Sequence, residues 1–232
     1  MKTAEEFLSG QVLLIDKPLK WSSFQVVNKL RWMIRKTFNL KKIKVGHAGT
    51  LDPLATGLLV ICTGKMTKQI DTFQTQTKEY RGTIVLGSTT PSYDLETEIN
   101  EYFSTDHITN DLIHNTTKQF IGEIEQFPPV FSAIKKDGKR LYEFARKGED
   151  VDIKPRMITI SEFEITKIDG LNIDFRVVCS KGTYIRSLAN DFGKAMDSGS
   201  HLSVLRRTKI GDFNVDNALS IEEFIKQLDQ LP

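Results

Sequence analysis

His47 and Asp52 stand five positions apart in KVGHAGTLDPLATGLLVICTG, residues 44–64, and Pro53 follows Asp52 directly. A carboxylate that is ionised and held still can act as a nucleophile or as a base. Pro53 disfavours the α region for the residue before it and pushes Asp52 toward an extended conformation. Gly46, Gly49 and Gly57 can take positive φ or admit another backbone at close range. The apolar run Leu58–Cys62 then reads as a buried strand. These features describe a stiff loop that presents one carboxylate beside a sheet, and they equally describe a plain structural turn. Arg186 is the cation that could keep such a carboxylate in its charged form. With Tyr184 it lies in CSKGTYIRS, where a strand hands over to a helix. Tyr80, in KEYRGTIVL, is either a core tyrosine or an aromatic platform at the mouth of a strand.

The elements that must position these groups follow from periodicity. Val12–Ile15 is a short apolar strand, closed by Asp16-Lys17-Pro18. Ser22 or Ser23 caps a helix over 24–38 whose Phe24, Val27, Leu30, Ile34 and Phe38 recur at helical spacing and face inward. Its far side and exit are basic, with Arg31, Arg35, Lys36, Lys41, Lys42 and Lys44 leading into the His47–Asp52 loop. That patch is either a solvated helix face or a phosphate-contacting approach to the loop. Gly64-Lys65-Met66-Thr67 invites a nucleotide-loop reading that fails. The motif needs glycine at 59 and Ser or Thr at 66, and the chain has Leu59 and Met66.

Lys78–Leu86 alternates as a strand, and 87–100 is turn-rich. Thr109 caps a helix to about Phe120, with Leu112, Ile113 and Phe120 inward. Arg156–Ile168 is strand-like, and Leu171, Ile173, Phe175, Val177 and Cys179 line one face of the next strand. Leu202–Ile210 is a late strand carrying Leu205, and Ser220 with Glu223 forms a capping box for a helix over 221–230. Between two of these elements, 127–156 interleaves Lys135, Lys136, Lys139, Arg140, Arg146 and Lys147 with Phe131, Tyr142 and Phe144. It reads as a mobile flap over a nucleic-acid backbone or as a charged surface hairpin with a short helix. Helices set between many alternating strands predict an α+β fold with a mixed, largely antiparallel sheet.

Composition narrows the function classes. The 232 residues carry a net charge of only +2, so total charge does not announce nucleic acid. Cys62 and Cys179 lie in apolar runs, as reduced buried thiols. MKTAEEFLSGQ does not have the pattern of a signal peptide, and no apolar run has the length of a membrane span. A cytoplasmic protein is expected. His47, His107, His114 and His201 show no metal spacing, and no serine-nucleophile elbow or dinucleotide fingerprint follows a strand. A glycosidase would need a second carboxylate facing the first, and none is evident near Asp52. The residues alone leave one carboxylate acting on an RNA-like or sugar-containing substrate.

GHAGTLDPLATGLLVICTGKMTK resembles the catalytic motif of the TruB family of pseudouridine synthases. VLLIDKPLKWSS, KEYRGTIVLG, PPVFSAIKKDGKRLYEFARKG, CSKGTYIRSLANDFG and HLSVLRRTKIG are similar to its other motifs, in the family's order. The resemblance implies the pseudouridine-synthase fold, with 127–156 as an inserted thumb. It implies an isomerase that converts the uridine at position 55 in the T arm of tRNA to pseudouridine, without cofactor or metal. Asp52 matches the essential aspartate, Tyr80 the tyrosine that stacks on the flipped base, and Arg186 the aspartate's partner. Tyr184 and Leu205 match substrate contacts, and His47 the residue that meets the RNA where the base has left. The pattern is that of the stand-alone bacterial type, expected to act as a monomer with no protein partner, rather than the guide-RNA-dependent branch. A catalytic domain over 1–215 and a short C-terminal helix over 216–232 are expected, without the RNA-binding domain of the PUA type that family members often carry. An RNA-binding protein without catalysis is the remaining alternative, and the presence of Asp52, Tyr80 and Arg186 speaks against it.

Overall fold

The computed structural model describes residues 3–132, 135–136, 139–145, 149 and 151–230. The helices are α1 Ala4–Ser9, α2 Ser23–Thr37, α3 Ile70–Thr75, α4 Asn110–Thr117, α5 Leu141–Ala145, α6 Ile185–Lys194 and α7 Ile221–Asp229. The strands are β1 Val12–Lys17, β2 Val45–His47, β3 Ala55–Thr63, β4 Lys78–Leu86, β5 Ser88–Thr89, β6 Glu101–Tyr102, β7 Gly122–Gln126, β8 Lys135–Lys136, β9 Lys139–Arg140, β10 Arg156–Asp169, β11 Asn172–Cys179, β12 Ser200–Ile210 and β13 Phe213–Asn214. The main sheet runs in the order β1-β3-β12-β4-β11-β10-β7, with β2 added to β3 and β13 to β12. Among these, β1–β3, β2–β3, β12–β13, β10–β11 and β10–β7 pair antiparallel, and β3 and β12 run parallel with Leu205 opposite Ala55 and Arg207 opposite Gly57. The expected α+β class with a mixed, largely antiparallel sheet is what the chain adopts. The chain divides into two compact units, Met1–Tyr80 with Leu205–Pro232, and Arg81–Val204.

In the first unit β3 is buried on both faces, which explains why its sequence is a continuous apolar run and not an alternating one. Leu59 and Ile61 join a cluster with Ile15, Val26, Val27, Leu30, Ile34, Ile221, Phe224 and Leu228. Leu58 and Val60 face a second cluster with Ala48, Ile210 and Val215. Ser22 caps α2 in a capping box with Gln25, and Ser220 caps α7 in one with Glu223. Phe24 corrects the expected inward face of α2, because it is 66% exposed. The buried stripe is Val26, Val27, Leu30, Met33 and Ile34, and Phe24 in the first turn falls outside it. Gly57 has φ +102, and a Cβ there would stand 2.3 Å from the carbonyl oxygen of Arg207, so only glycine allows the parallel β3–β12 approach. Cys62 is a free buried thiol, pushed up to about 11 by burial. The short helix α1, with its Thr3–Glu6 capping box, has no counterpart in the periodicity reading.

In the second unit the β10–β11 hairpin buries Ile173, Phe175, Val177 and Cys179, while Leu171 lies just before β11 and is 42% exposed, not part of the inward face. Phe163 packs against Phe120, Phe175 and Phe192 at ring-centroid distances of 5.4–6.2 Å. Thr109 caps α4 as its sequence predicts. β8 and β9 pair as a two-stranded ribbon ahead of α5. The side chains of Lys135, Lys136, Lys139, Arg140 and Tyr142, and all of Arg146 and Lys147, lie outside the described residues. The reading of that segment as a cationic flap therefore falls outside them too. Among the described residues, no helix is long and apolar enough to cross a membrane.

Candidate active site

Asp52 sits half-buried in the loop between β2 and β3, and that loop is pinned on both sides of it. The Ser23 hydroxyl accepts from the Leu51 N–H at 2.8 Å and donates to the Leu51 carbonyl at 3.0 Å. The Lys20 N–H donates to the Pro53 carbonyl at 2.8 Å, and the Ala55 N–H to the Asp52 carbonyl at 3.1 Å. Arg207, 1% exposed, sends its guanidinium into the same loop. Its Nε donates to Leu58 O at 2.8 Å, Nη2 to Gly49 O at 3.0 Å and Nη1 to Thr50 O at 3.4 Å. Backbone groups at 49, 50, 51, 52 and 53 are thus each held by a partner, which leaves the Asp52 side chain little freedom to wander.

A second buried cation lies beneath the loop. Lys17 is fully buried at the end of β1, and its ammonium donates to the carbonyls of Trp21 at 2.5 Å, Pro18 at 2.9 Å and Pro53 at 3.4 Å. Burial, opposed by Asp52 and aided by Arg207, lowers its pKa to about 8. At neutral pH Lys17 is therefore an ammonium within electrostatic reach of Asp52. Two buried cations, Lys17 and Arg207, thus hold the backbone of the loop that carries Asp52. His47, on β2, is half-buried, and burial together with Arg207 holds its imidazole below the ordinary 6.5. It is neutral at pH 7, which suits packing against a base or ribose better than holding a phosphate.

Leu205 enters the same unit through the β3–β12 register, opposite Ala55 and so three residues beyond Asp52. Its neighbour Arg206 makes a forked ion pair with Asp16, at 2.6 and 3.0 Å. Tyr80, 8% exposed, follows Glu79, which accepts from the Thr208 hydroxyl at 2.7 Å and ties β4 to β12. His47, Asp52, Tyr80 and Leu205 all belong to this first unit.

Arg186 and Tyr184 belong to the second unit. Tyr184 is the N-cap of α6, and both its backbone groups are held by the Gln126 side chain, N–H to Oε1 at 2.8 Å and Nε2 to the carbonyl at 3.1 Å. Arg186, 4% exposed, lies 3.6 Å through Nε from the Asp94 carboxylate and donates through Nη1 to Ser92 O at 3.2 Å. Asp94 accepts from the Glu96 N–H at 3.0 Å, and its own carbonyl accepts from the hydroxyls of Thr90 and Ser92. A buried polar turn thus fixes the guanidinium. Lys17, Ser23, Arg207 and Asp94 are the supporting residues that the sequence reading did not single out. The only signal for them is a charged or hydroxyl residue set where apolar neighbours predict burial.

A model of the TruB family pseudouridylate synthase, N-terminal domain, matches residues 35–185. The tRNA pseudouridine synthase B of Flavobacterium johnsoniae is 68% identical over 227 residues, covering 97% of this chain and 99% of that protein. The protein of the same name from Phocaeicola vulgatus is 57% identical over 224 residues, covering 97% and 95%. Among solved structures, a Cbf5–Nop10–Gar1 complex matches with a TM-score of 0.72 at 30% identity, over 97% of this chain and 56% of that one. An H/ACA RNP bound to a substrate RNA containing 2′-deoxyuridine matches with a TM-score of 0.70 at 27% identity, over 100% of this chain and 59% of that one. The chain therefore spans little more than half of these structural neighbours and nearly the whole of its curated relatives. On the family match and these identities, the chain belongs to the TruB family of pseudouridylate synthases.

Proposed function

We propose that this chain isomerises the uridine at position 55 in the T arm of tRNA to pseudouridine, with Asp52 as the catalytic group. The observation that carries the reading is the bracing of the Asp52 loop by Lys17, Ser23 and Arg207, which holds one carboxylate still and half-exposed above two buried cations. Tyr80, Arg186, Tyr184, His47 and Leu205 take the roles that the family motifs imply.

The target base is extruded from the arm, at a cost of a few kcal/mol. Stacking on Tyr80 offsets part of that, by about 1–3 kcal/mol for a base on an aromatic ring. His47 and Leu205 support the RNA around the extruded nucleotide, and Tyr184 contacts it. Asp52 then acts on the ribose, by attack at C1′ or by removal of the C2′ proton, and both routes require the ionised carboxylate. The N1–C1′ bond breaks, the base turns while held, and a C5–C1′ bond forms as Asp52 leaves C1′ or, on the other route, as the proton returns to C2′. The C5 proton leaves, with Tyr80 implicated in its removal, and N1 gains a proton. Substrate and product are isomers, so the atoms balance without an oxidant, reductant or group donor. The enzyme works as a monomer in the cytoplasm.

The experiment is tritium release from 5-³H-uridine in a T-arm minihelix. Wild type releases the label, and Asp52→Asn releases none above background. Comparable release by both proteins removes Asp52 from the chemistry.

A further inference from the structure

The stretch Lys17–Leu51 contains nine lysines and arginines and no aspartate or glutamate, in a chain of 32 cations and 30 acids. Most of its length is α2 and the turn that follows. The structure sorts these cations into two kinds. Arg31 and Arg35 are turned onto the backbone, donating to Val45 O at 2.9 Å and to Leu40 O at 3.2 Å. Lys29 and Lys36 instead flank the ring of Trp32, with their ammonium groups 5.4 and 5.1 Å from its centroid. Trp32 is 53% exposed, Phe24 on the same outward side is 66% exposed, and Lys36, Lys41 and Lys42 are exposed. Among the described residues no carboxylate pairs with Lys29 or Lys36.

An exposed tryptophan on a soluble helix has a cost in apolar surface left in water. The cation–π contacts return about 0.5–1 kcal/mol each at an exposed site, which keeps both ammoniums gathered at the ring. The result is an aromatic plate between two positive charges on a stretch of chain without carboxylates. This is the chemistry of a nucleic-acid contact, in which phosphates meet the lysines and a base or ribose packs on the ring. The location fits as well. Ser23, at the start of α2, bonds Leu51 beside Asp52, and with a rise of about 1.5 Å per residue Trp32 lies roughly 13 Å further along and Lys36 roughly 20 Å. An RNA arm with its target nucleotide at Asp52 has the diameter to reach that far.

Resting on the function proposed above, we infer that the outward face of α2, centred on Trp32 with Lys29 and Lys36, is a second contact surface for the substrate tRNA. It binds the phosphodiester backbone through the lysines and an unpaired base or a ribose through the indole. No part of this surface touches the reacting atoms; it adds affinity and sets how the RNA lies.

The test compares binding of full-length tRNA by wild type, Lys29→Gln with Lys36→Gln, Trp32→Ala and Trp32→Phe, each across a salt series. The double lysine variant lowers the slope of log Kd against log salt by about 1.4–1.8, the share of two phosphate contacts. Trp32→Ala weakens binding about fivefold or more, while Trp32→Phe stays near wild type because a phenyl ring still stacks. Thermal unfolding of each variant confirms that an exposed side chain was changed without loss of the fold, and the lysine and phenylalanine variants keep the test decisive if Trp32→Ala is unstable. Unchanged affinity and slope in all variants overturn the inference. So does unchanged RNA affinity with loss of binding to phosphatidylcholine–phosphatidylserine vesicles, which assigns the face to lipid. Tritium release by wild type is read separately. No release sinks the proposed function, whereas release with variants that bind like wild type sinks only the α2 surface.

Discussion

Arg207→Met removes a guanidinium that the first unit is built around. The side chain is 1% exposed, and two of its three bonds to carbonyls are short, 2.8 Å to Leu58 and 3.0 Å to Gly49. Hydrogen bonds from charged donors contribute about 1.5–3 kcal/mol each. Methionine fills similar volume but leaves the carbonyls of Gly49, Thr50 and Leu58 without that donor. It also spares the folded state the burial of a charge, which brings the expected loss to about 3–5 kcal/mol. For a protein of this size that is a fall in Tm of roughly 6–20 °C. Thermal and urea unfolding followed by circular dichroism measure it. Arg207→Lys keeps the charge but not the fork, and should fall between the two. A second readout separates positioning from bulk stability. Arg207 helps hold His47 below its ordinary pKa, so the His47 imidazole titrates closer to 6.5 in the methionine variant, visible by NMR. A loss under about 1 kcal/mol, with His47 unmoved, refutes the assignment of Arg207 as the brace of the Asp52 loop.

Gly57→Ala forces a side chain into φ +102 and sets its Cβ 2.3 Å from the Arg207 carbonyl oxygen; a stability loss above about 2 kcal/mol in urea is expected, and a near-neutral effect refutes the close approach. Asp94→Asn neutralises the partner of a buried arginine but keeps a polar acceptor, so stability should fall by about 2–3 kcal/mol and tritium release should fall more than tRNA binding. Unchanged stability and turnover together would show that Arg186 does not depend on Asp94. Glu223 is held below its ordinary 4.5 by the Ser220 N–H and hydroxyl. Its folded pKa is depressed, so the stabilisation is present above about 4.5 and is lost as pH falls through the folded value. In acid unfolding, the difference between wild type and Glu223→Gln therefore narrows below pH 4.5, and parallel curves would remove the capping box from the acid response.

Regular apolar spacing made most of the large elements readable before the structure. β4, β10, β11, β12, α2, α4 and α7 lie where alternation or helical period predicts, because tertiary packing there agrees with local pattern. Phe24 shows the limit of that reading. Its spacing to Val27 is helical, but so is that of Val26 to Leu30 and Met33, and only the packing partner decides which stripe is buried. β7, Gly122–Gln126, escaped notice because its alternation of glutamate with half-buried residues carries little hydrophobic contrast. At the site, the loop and its carboxylate were visible from Gly, Asp and Pro chemistry, and the family from the motif order. The supports were not. Lys17 and Arg207 act through carbonyls 36 and about 150 residues away along the chain, and no local pattern reports such a bond.

The parallel strand pair that seats Arg207 beside Gly57 also sets a schedule for synthesis. The loop that carries Asp52 is made early, but two carbonyls on it wait for a guanidinium 157 and 158 residues later. At about 5–20 residues per second, that interval is roughly 8–30 s on the ribosome. For that time the Asp52 loop of the nascent chain is without this brace. On the function proposed above, a carboxylate that is not positioned offers RNA no working site on an unfinished chain. The join that closes the unit therefore also sets when the Asp52 loop gains its brace, tying it to the arrival of β12.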